Sequence, residues 1–299
     1  MNTEIESIKT LNDTEVKDVS PIRQLEGMVS LQPFYVDDNA ILFCGASEKV
    51  LPLLPANSVD LTVTSPPYDN LRTYKGFTFD FETIAKELYR VTKDGGVVVW
   101  VVNDATIDGS ETLTSCKQKI FFREQCGFNI HDTMMYKKQN GGIAGSTLCY
   151  LQYFEYMFIL SKGRPKVINL IRDRKNVVEP REKLEAMGRR FENGEKKGQR
   201  VIKRYEFGVR TNIWEYSTGN EEVDEHPAIY PEQLAKDHIL SWSNEGDTVL
   251  DCFSGSGTTM KAAKLLKRNS IGIEIAKEYC ELTVRRINKP MPLFNGLTS

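Results

Sequence analysis

Four consecutive residues, Ser65-Pro66-Pro67-Tyr68, concentrate the chemistry of this chain. They follow Val59–Val63, a short, mostly apolar run that reads as a buried strand. Two successive prolines fix φ and remove two backbone donors, so the loop leaving the strand is stiff. Their carbonyls stay available as acceptors with no partner along the chain. Tyr68 sets a flat aromatic face beside them. Acceptors next to a stacking surface suit a planar ring that carries an exocyclic amine.

A second segment, Asp247–Thr259, reads Asp-Thr-Val-Leu-Asp-Cys-Phe-Ser-Gly-Ser-Gly-Thr-Thr. Val249–Cys252 has the character of a strand, Gly255 and Gly257 of a tight turn, and Thr258–Lys267 of a helix. Glycines at such a turn let a ligand approach the backbone closely. Ser270–Glu274 then reads as the next strand, with an acid at its end, where a carboxylate commonly meets ribose hydroxyls. Strand, turn, helix, strand and acid in that order describe a nucleoside-binding unit far more specifically than Gly-x-Gly alone.

The elements that position these two loops are legible around them. An early strand is expected within Tyr35–Cys44, a short helix over Ser47–Leu54 ending at Pro55, and a helix over Phe81–Thr92 with apolar residues at 84, 85, 88 and 91. Asp94-Gly95-Gly96 is expected to stop that helix. Val97–Val102 is a continuous apolar run, as in a strand covered on both faces. Ile120–Gln125 reads as helical up to Gly127, and Ile130–Tyr136 and Phe154–Leu160 as strands pairing at an antiparallel edge. Pro231–Trp242 reads as a helix with proline in its first turn. The alternation predicts an α/β fold: a doubly wound, mostly parallel sheet.

With both motifs in view, the chain resembles the DNA amino-methyltransferases, which methylate the exocyclic nitrogen of cytosine or adenine. The resemblance covers roughly residues 40–285. Asp-Cys-Phe-Ser-Gly-Ser-Gly is similar to the family's cofactor loop and Thr-Ser-Pro-Pro-Tyr to its catalytic motif. The catalytic motif comes first, as in the beta group, whose target-recognition region lies between the two. The resemblance implies a Rossmann-like fold and S-adenosylmethionine as cofactor. It also implies base flipping, double-stranded DNA as partner, and a setting in which a homodimer and a cognate restriction endonuclease are to be looked for.

Residue by residue, it gives the catalytic loop to Ser65, Pro66, Pro67 and Tyr68. The cofactor is assigned to Asp251, Phe253, Ser254, Gly255, Gly257, Thr258 and Glu274, and to Tyr230, Pro231 and Glu232 in a stretch similar to the family's motif before the cofactor strand. Ser65 Oγ and the Pro66 carbonyl are read as acceptors for the amine, and Tyr68 as the stacking face. Plainer roles stand beside these: Asp251 as a turn cap, Phe253 and Tyr230 as core. The chain departs from the family pattern at Gly45-Ala46, where Gly-Asp is common; Ser47 or Glu48 could replace that carboxylate contact.

Charge points the same way. The formal net charge is only −2, yet residues 161–210 hold sixteen basic and seven acidic residues, while residues 1–40 hold three and eight. Such asymmetry implies a local phosphate-binding surface. The DNA contacts expected are Arg72, Lys162, Arg164, Arg172, Arg174, Lys175, Arg189, Arg190, Lys203 and Arg204. The organisation expected is an N-terminal extension over 1–30, a catalytic domain over 31–138 and 211–290, a basic target-recognition insertion over 139–210, and a tail over 291–299.

Six scattered cysteines without a Cys-x-x-Cys pair, and three isolated histidines, predict no zinc site and a reduced, cytoplasmic protein. No apolar stretch nears the roughly 20 residues of a membrane span, and no signal peptide is visible in Met1–Val19. Serine rather than aspartate before Pro-Pro-Tyr leans toward cytosine N4 by resemblance. Adenine N6 and a catalytically silent DNA-binding protein are the alternatives.

Overall fold

The structure, a computed structural model, describes residues 20–67, 79–139, 150–177, 184–186, 200–202, 205–217 and 231–289. Among them a nine-stranded sheet forms the centre. In chain order its strands are β1 (Tyr35–Val36), β2 (Ala40–Cys44), β3 (Val59–Thr64), β4 (Thr92–Val102), β5 (Asn129–Lys138), β6 (Phe154–Ser161), β7 (Ile213–Tyr216), β8 (Thr248–Asp251) and β9 (Asn269–Glu274). Across the sheet they lie β1-β2-β9-β8-β3-β4-β6-β5-β7. All but β1 and β6 run in one direction.

Helices cover both faces, as the near-continuous apolar strands require. α1 (Pro21–Met28), α2 (Phe81–Val91) and α3 (Thr114–Phe121) are described alongside α4 (Glu232–Trp242), α5 (Thr258–Leu265) and α6 (Lys277–Ile287). The pleat of β4 sorts its side chains: Val98, Trp100 and Val102 join the core with Ile84 and Leu88 of α2, while Val97, Val99 and Val101 join the other core with Leu234 and Ile239 of α4. α2 buries Ile84, Ala85, Leu88 and Val91, each side chain contributing roughly 1.5–3 kcal/mol for the larger ones. Asp80 caps it, accepting from the Thr83 amide at 3.2 Å.

Four expectations need correcting. Asp94-Gly95-Gly96 does not separate helix from strand: β4 starts at Thr92 and runs through it, because Gly95 and Gly96 pair with Lys162. A Cβ on Gly96 would sit 2.9 Å from the Asp60 carbonyl, so glycine is what permits that approach. β5 and β6 do pair antiparallel, but β7 adds outside β5, in parallel, and takes the edge. β6 falls inside the span expected as an insertion, yet it sits between β4 and β5. In the expected N-terminal extension, Pro21–Met28 is a helix with Ile22 and Leu25 buried in the core. Within 162–210, outside the main sheet, Arg174–Lys175 pairs with Phe207–Gly208, and Leu184–Ala186 with Arg200–Ile202.

Candidate active site

β2, β3, β4, β8 and β9 all end on the same edge of the sheet. From β8 the chain crosses through α5 to β9 on one side; from β3 it crosses through α2 to β4 on the other. β8 and β3 are neighbours, so the crevice at their carboxyl ends is the topological switch point, where open α/β sheets bind ligands. The two motifs singled out in the sequence, 187 residues apart at their strand ends, meet there.

A buried carboxylate ties them together. Asp251 is 1% exposed. Its Oδ1 accepts from Thr64 Oγ1 at 2.7 Å and from the Phe253 amide at 3.1 Å; its Oδ2 accepts from Thr259 Oγ1 at 2.7 Å. The first bond joins the last residue of β3 to the last of β8. The second caps the cofactor turn, so the plainer role considered for Asp251 is observed. The third fastens the first turn of α5.

The turn itself is braced from three sides. Gly255 and Gly257 have φ of +51° and +77°, a left-handed region that side chains other than glycine resist. A Cβ on Gly257 would also lie 2.5 Å from Thr283 Cγ2. From α6, Thr283 Oγ1 donates to the Gly255 carbonyl at 3.0 Å, and Arg286 Nη1 donates to the Ser256 carbonyl and hydroxyl, both at 2.7 Å, and to Thr258 Oγ1 at 3.2 Å. From β9, Glu274 accepts from the Gly255 amide (Oε2) and the Ala276 amide (Oε1), each at 2.8 Å. Burial raises the Glu274 carboxyl above its ordinary value, against the pull of these two amides. From the chain just after β2, the Ser47 hydroxyl donates to the Cys252 carbonyl, and the Gly45 amide donates to the Glu274 carbonyl at 2.9 Å. Ser47 therefore braces the turn next to Gly45-Ala46, where the chain departs from the family pattern.

The remaining residues expected at the cofactor divide. Phe253 packs edge-on against Phe79, centroids 5.2 Å apart. Ser254 is 5% exposed, and its hydroxyl has no hydrogen-bond partner among the described residues. Glu232 is committed to Lys236 at 2.6 Å and Lys261 at 2.5 Å. Burial alone would raise its carboxyl; the two lysines hold it below the usual range. Pro231 is the capping residue that precedes it. Tyr230 lies outside the described residues.

On the catalytic side, Ser65 and Pro67 are partly exposed and Pro66 is buried. The Ser65 hydroxyl makes no hydrogen bond among the described residues. Tyr68 and Arg72 lie outside the described residues, as do Arg189, Arg190, Lys203 and Arg204. Lys162 and Arg164 follow β6, which runs against β4, and so stand at the opposite edge of the sheet from Ser65. Lys162 Nζ donates to Asn57 Oδ1 at 2.8 Å and to the Thr92 carbonyl at 3.0 Å, over the Tyr89 ring. The structure does not bring that pair to the catalytic crevice. Arg172, Arg174 and Lys175 are exposed, with Arg172 over the Tyr205 ring and Arg174 Nε donating to the Val209 carbonyl.

The chain matches the DNA methylase family over residues 59–285. It belongs to that family. It is 54% identical over 239 residues to the orphan methyltransferase M.BamHII of Bacillus amyloliquefaciens, an alignment that covers 77% of this chain and 89% of the relative. Among solved structures it superposes on the PvuII DNA methyltransferase (cytosine-N4-specific) with a TM-score of 0.65 at 18% identity, covering 88% of this chain and 92% of that one. The M1.HpyAVI complex with S-adenosylmethionine superposes with a TM-score of 0.54 at 23% identity, covering 83% and 99%. At such identities the two structures speak for the fold alone.

The chain is thus a DNA methyltransferase of a family that uses S-adenosylmethionine, and its residues fit that cofactor. Two glycines keep the turn open to close approach, Ser254 offers a buried hydroxyl with no partner among the described residues, and Glu274 closes the neighbouring strand. Among the described residues, no group of three or more His, Cys, Asp or Glu could hold a metal, and no helix is long and apolar enough to cross a membrane. Thr64, Thr259, Thr283 and Arg286 were not singled out from sequence. Thr64 and Thr259 stand within the two quoted segments but carried no role there, whereas nothing in the sequence of α6 marks Thr283 and Arg286.

Proposed function

We propose that this enzyme methylates the exocyclic N4 of cytosine in double-stranded DNA after flipping the base. The observation that carries the reading is Ser65: a small hydroxyl, with no hydrogen bond among the described residues, heads the Pro-Pro loop at the switch point beside the cofactor turn. Bound S-adenosylmethionine supplies an electrophilic methyl group. The amine is a poor nucleophile because its lone pair is delocalised into the ring. Ser65 Oγ and the Pro66 carbonyl accept its two N–H groups, draw the nitrogen toward tetrahedral geometry and stabilise the charge that develops there. Thr64–Asp251 fixes the distance between this loop and the cofactor turn, and in-line positioning lowers much of the barrier.

Tyr68 stacks on the target ring in this proposal, returning about 1–3 kcal/mol of the few kcal/mol that flipping costs. Glu274 receives the ribose hydroxyls. Exposed basic residues of the 162–210 segment, Arg172, Arg174 and Lys175 among them, contact phosphate and bring the recognition region onto the duplex. The test is to incubate the enzyme with S-adenosylmethionine and unmethylated DNA, digest to nucleosides and identify the product by mass spectrometry. N4-methylcytosine is expected; N6-methyladenine would overturn the reading of Ser65 while keeping the machinery.

A further inference from the structure

The chain leaves the sheet at the end of β6 on the edge away from Ser65, and returns through β7, which points toward the catalytic edge. Between them it climbs along α4. The Asn169 amide donates to the Ser241 carbonyl at 2.8 Å, near the far end of that helix. The next contact, at Asp237, is one turn and about 6 Å nearer the end beside the cofactor helix. Here one side chain collects every limb. Arg210, on the returning limb, donates through Nε to Asp173 Oδ2 on the outgoing limb at 2.8 Å, with Nη2 on the same oxygen. Its Nη1 donates to Asp237 Oδ2 of α4 at 2.5 Å and to the Tyr216 hydroxyl of β7 at 3.3 Å. Its backbone amide donates to the Ile171 carbonyl at 2.9 Å.

The seat beneath is prepared. Asp237 is 4% exposed and also accepts from the Tyr216 hydroxyl at 2.6 Å and from Gln233 at 2.7 Å. The guanidinium lies over the Trp214 ring at 5.1 Å, and Trp214 in turn packs on the buried His238 ring at 4.6 Å. A planar fork with several donors can serve two carboxylates and a ring at once; a lysine cannot.

We propose that Arg210 is a positioning residue: it locks both limbs of the basic segment to α4 and so aims Arg172, Arg174 and Lys175 at the DNA lying over Ser65. This rests on the reading of that segment as the DNA-recognition region. The latch is tested by methyl transfer into sheared, unmethylated genomic DNA at varied DNA concentration, with cofactor affinity measured by calorimetry. Arg210→Met should raise KM for DNA at least tenfold while the Kd for S-adenosylmethionine stays within twofold, and Arg210→Lys should fall between. Asp173→Asn, at a half-exposed partner that the core does not need, should raise KM about threefold.

An unchanged KM in both Arg210→Met and Asp173→Asn, or a cofactor Kd rising in step with KM, would overturn the latch. The double variant Arg174→Glu/Lys175→Glu separates the two ideas. If it weakens DNA binding and Arg210→Met does not, only the latch falls; if neither does, the recognition region falls with it.

Discussion

The two loops of the crevice are held in opposite ways. The cofactor turn after β8 is bound by side chains and backbone from the segment after β2 and from β3, α5, β9 and α6, through Ser47, Thr64, Thr259, Glu274, Thr283 and Arg286. The catalytic loop after β3 is stiffened instead by Pro66 and Pro67, and its serine makes no hydrogen bond among the described residues. The difference reflects the task of each loop. A cofactor turn needs a rigid shape, and hydrogen bonds supply it. In the proposed role, a loop that accepts two N–H groups from a base has to be rigid without consuming its own acceptors, and proline supplies rigidity at no such cost.

The contrast predicts different failures. Asp251→Ala should have the largest effect, because it removes a buried acceptor shared by two hydroxyls and an amide, at roughly 1–3 kcal/mol for a buried donor that loses its partner. Its thermal midpoint should fall by several degrees and cofactor binding should be lost in calorimetry. Ser65→Ala should leave the midpoint and cofactor Kd nearly as they were and lower kcat by about 10²–10³-fold, the scale of losing one preorganised partner of a developing charge. If Ser65→Ala melted as Asp251→Ala does, the serine would be a brace like the others and the contrast would collapse. Arg286→Met sits lower. Losing charged hydrogen bonds to Ser256 and Thr258 should weaken cofactor binding about tenfold, on the order of 1.5 kcal/mol. Arg286→Lys should recover part of it, with kcat at saturating cofactor little changed.

What the sequence disclosed, and what it hid, divides along the same line. The stiffness of the Pro66-Pro67 loop could be read because it is local: two prolines act through their own φ and need no partner. The cofactor turn could be recognised from its glycines and from the strand on either side. What holds it could not be read, since Thr283 and Arg286 reach back 28 and 30 residues from α6. Thr64 meets Asp251 across 187 positions. Parallel pairing makes such contacts non-local by construction. β7 escaped for a related reason: Ile213–Tyr216 is four residues long, alternates in burial, and owes its place to a parallel partner, β5. Lys162 shows the converse. Its charge suggested DNA, but the direction of β6, which composition does not encode, takes it to the wrong edge.

The smallest predicted effect concerns Glu274, where binding and folding should respond to pH in opposite senses. Burial raises its carboxyl above the ordinary value of 4.5. In the folded protein the neutral form is therefore favoured relative to the unfolded chain. The stability this group contributes is present at low pH and is lost as pH rises through the raised value. Ribose binding asks for the reverse: an ionised carboxylate can keep accepting from Gly255 and Ala276 while offering its remaining lone pairs to two hydroxyls. Affinity for S-adenosylmethionine should thus decline on the acid side, starting above the range of an exposed glutamate. Glu274→Gln cannot titrate. It should bind the cofactor several-fold more weakly near neutrality, about 1 kcal/mol for one compromised hydrogen bond, and its affinity should stay flat with pH where the parent's falls. A Glu274→Gln profile that tracked the parent's slope would place the titrating group elsewhere in the crevice and leave Glu274 as one more brace of the turn.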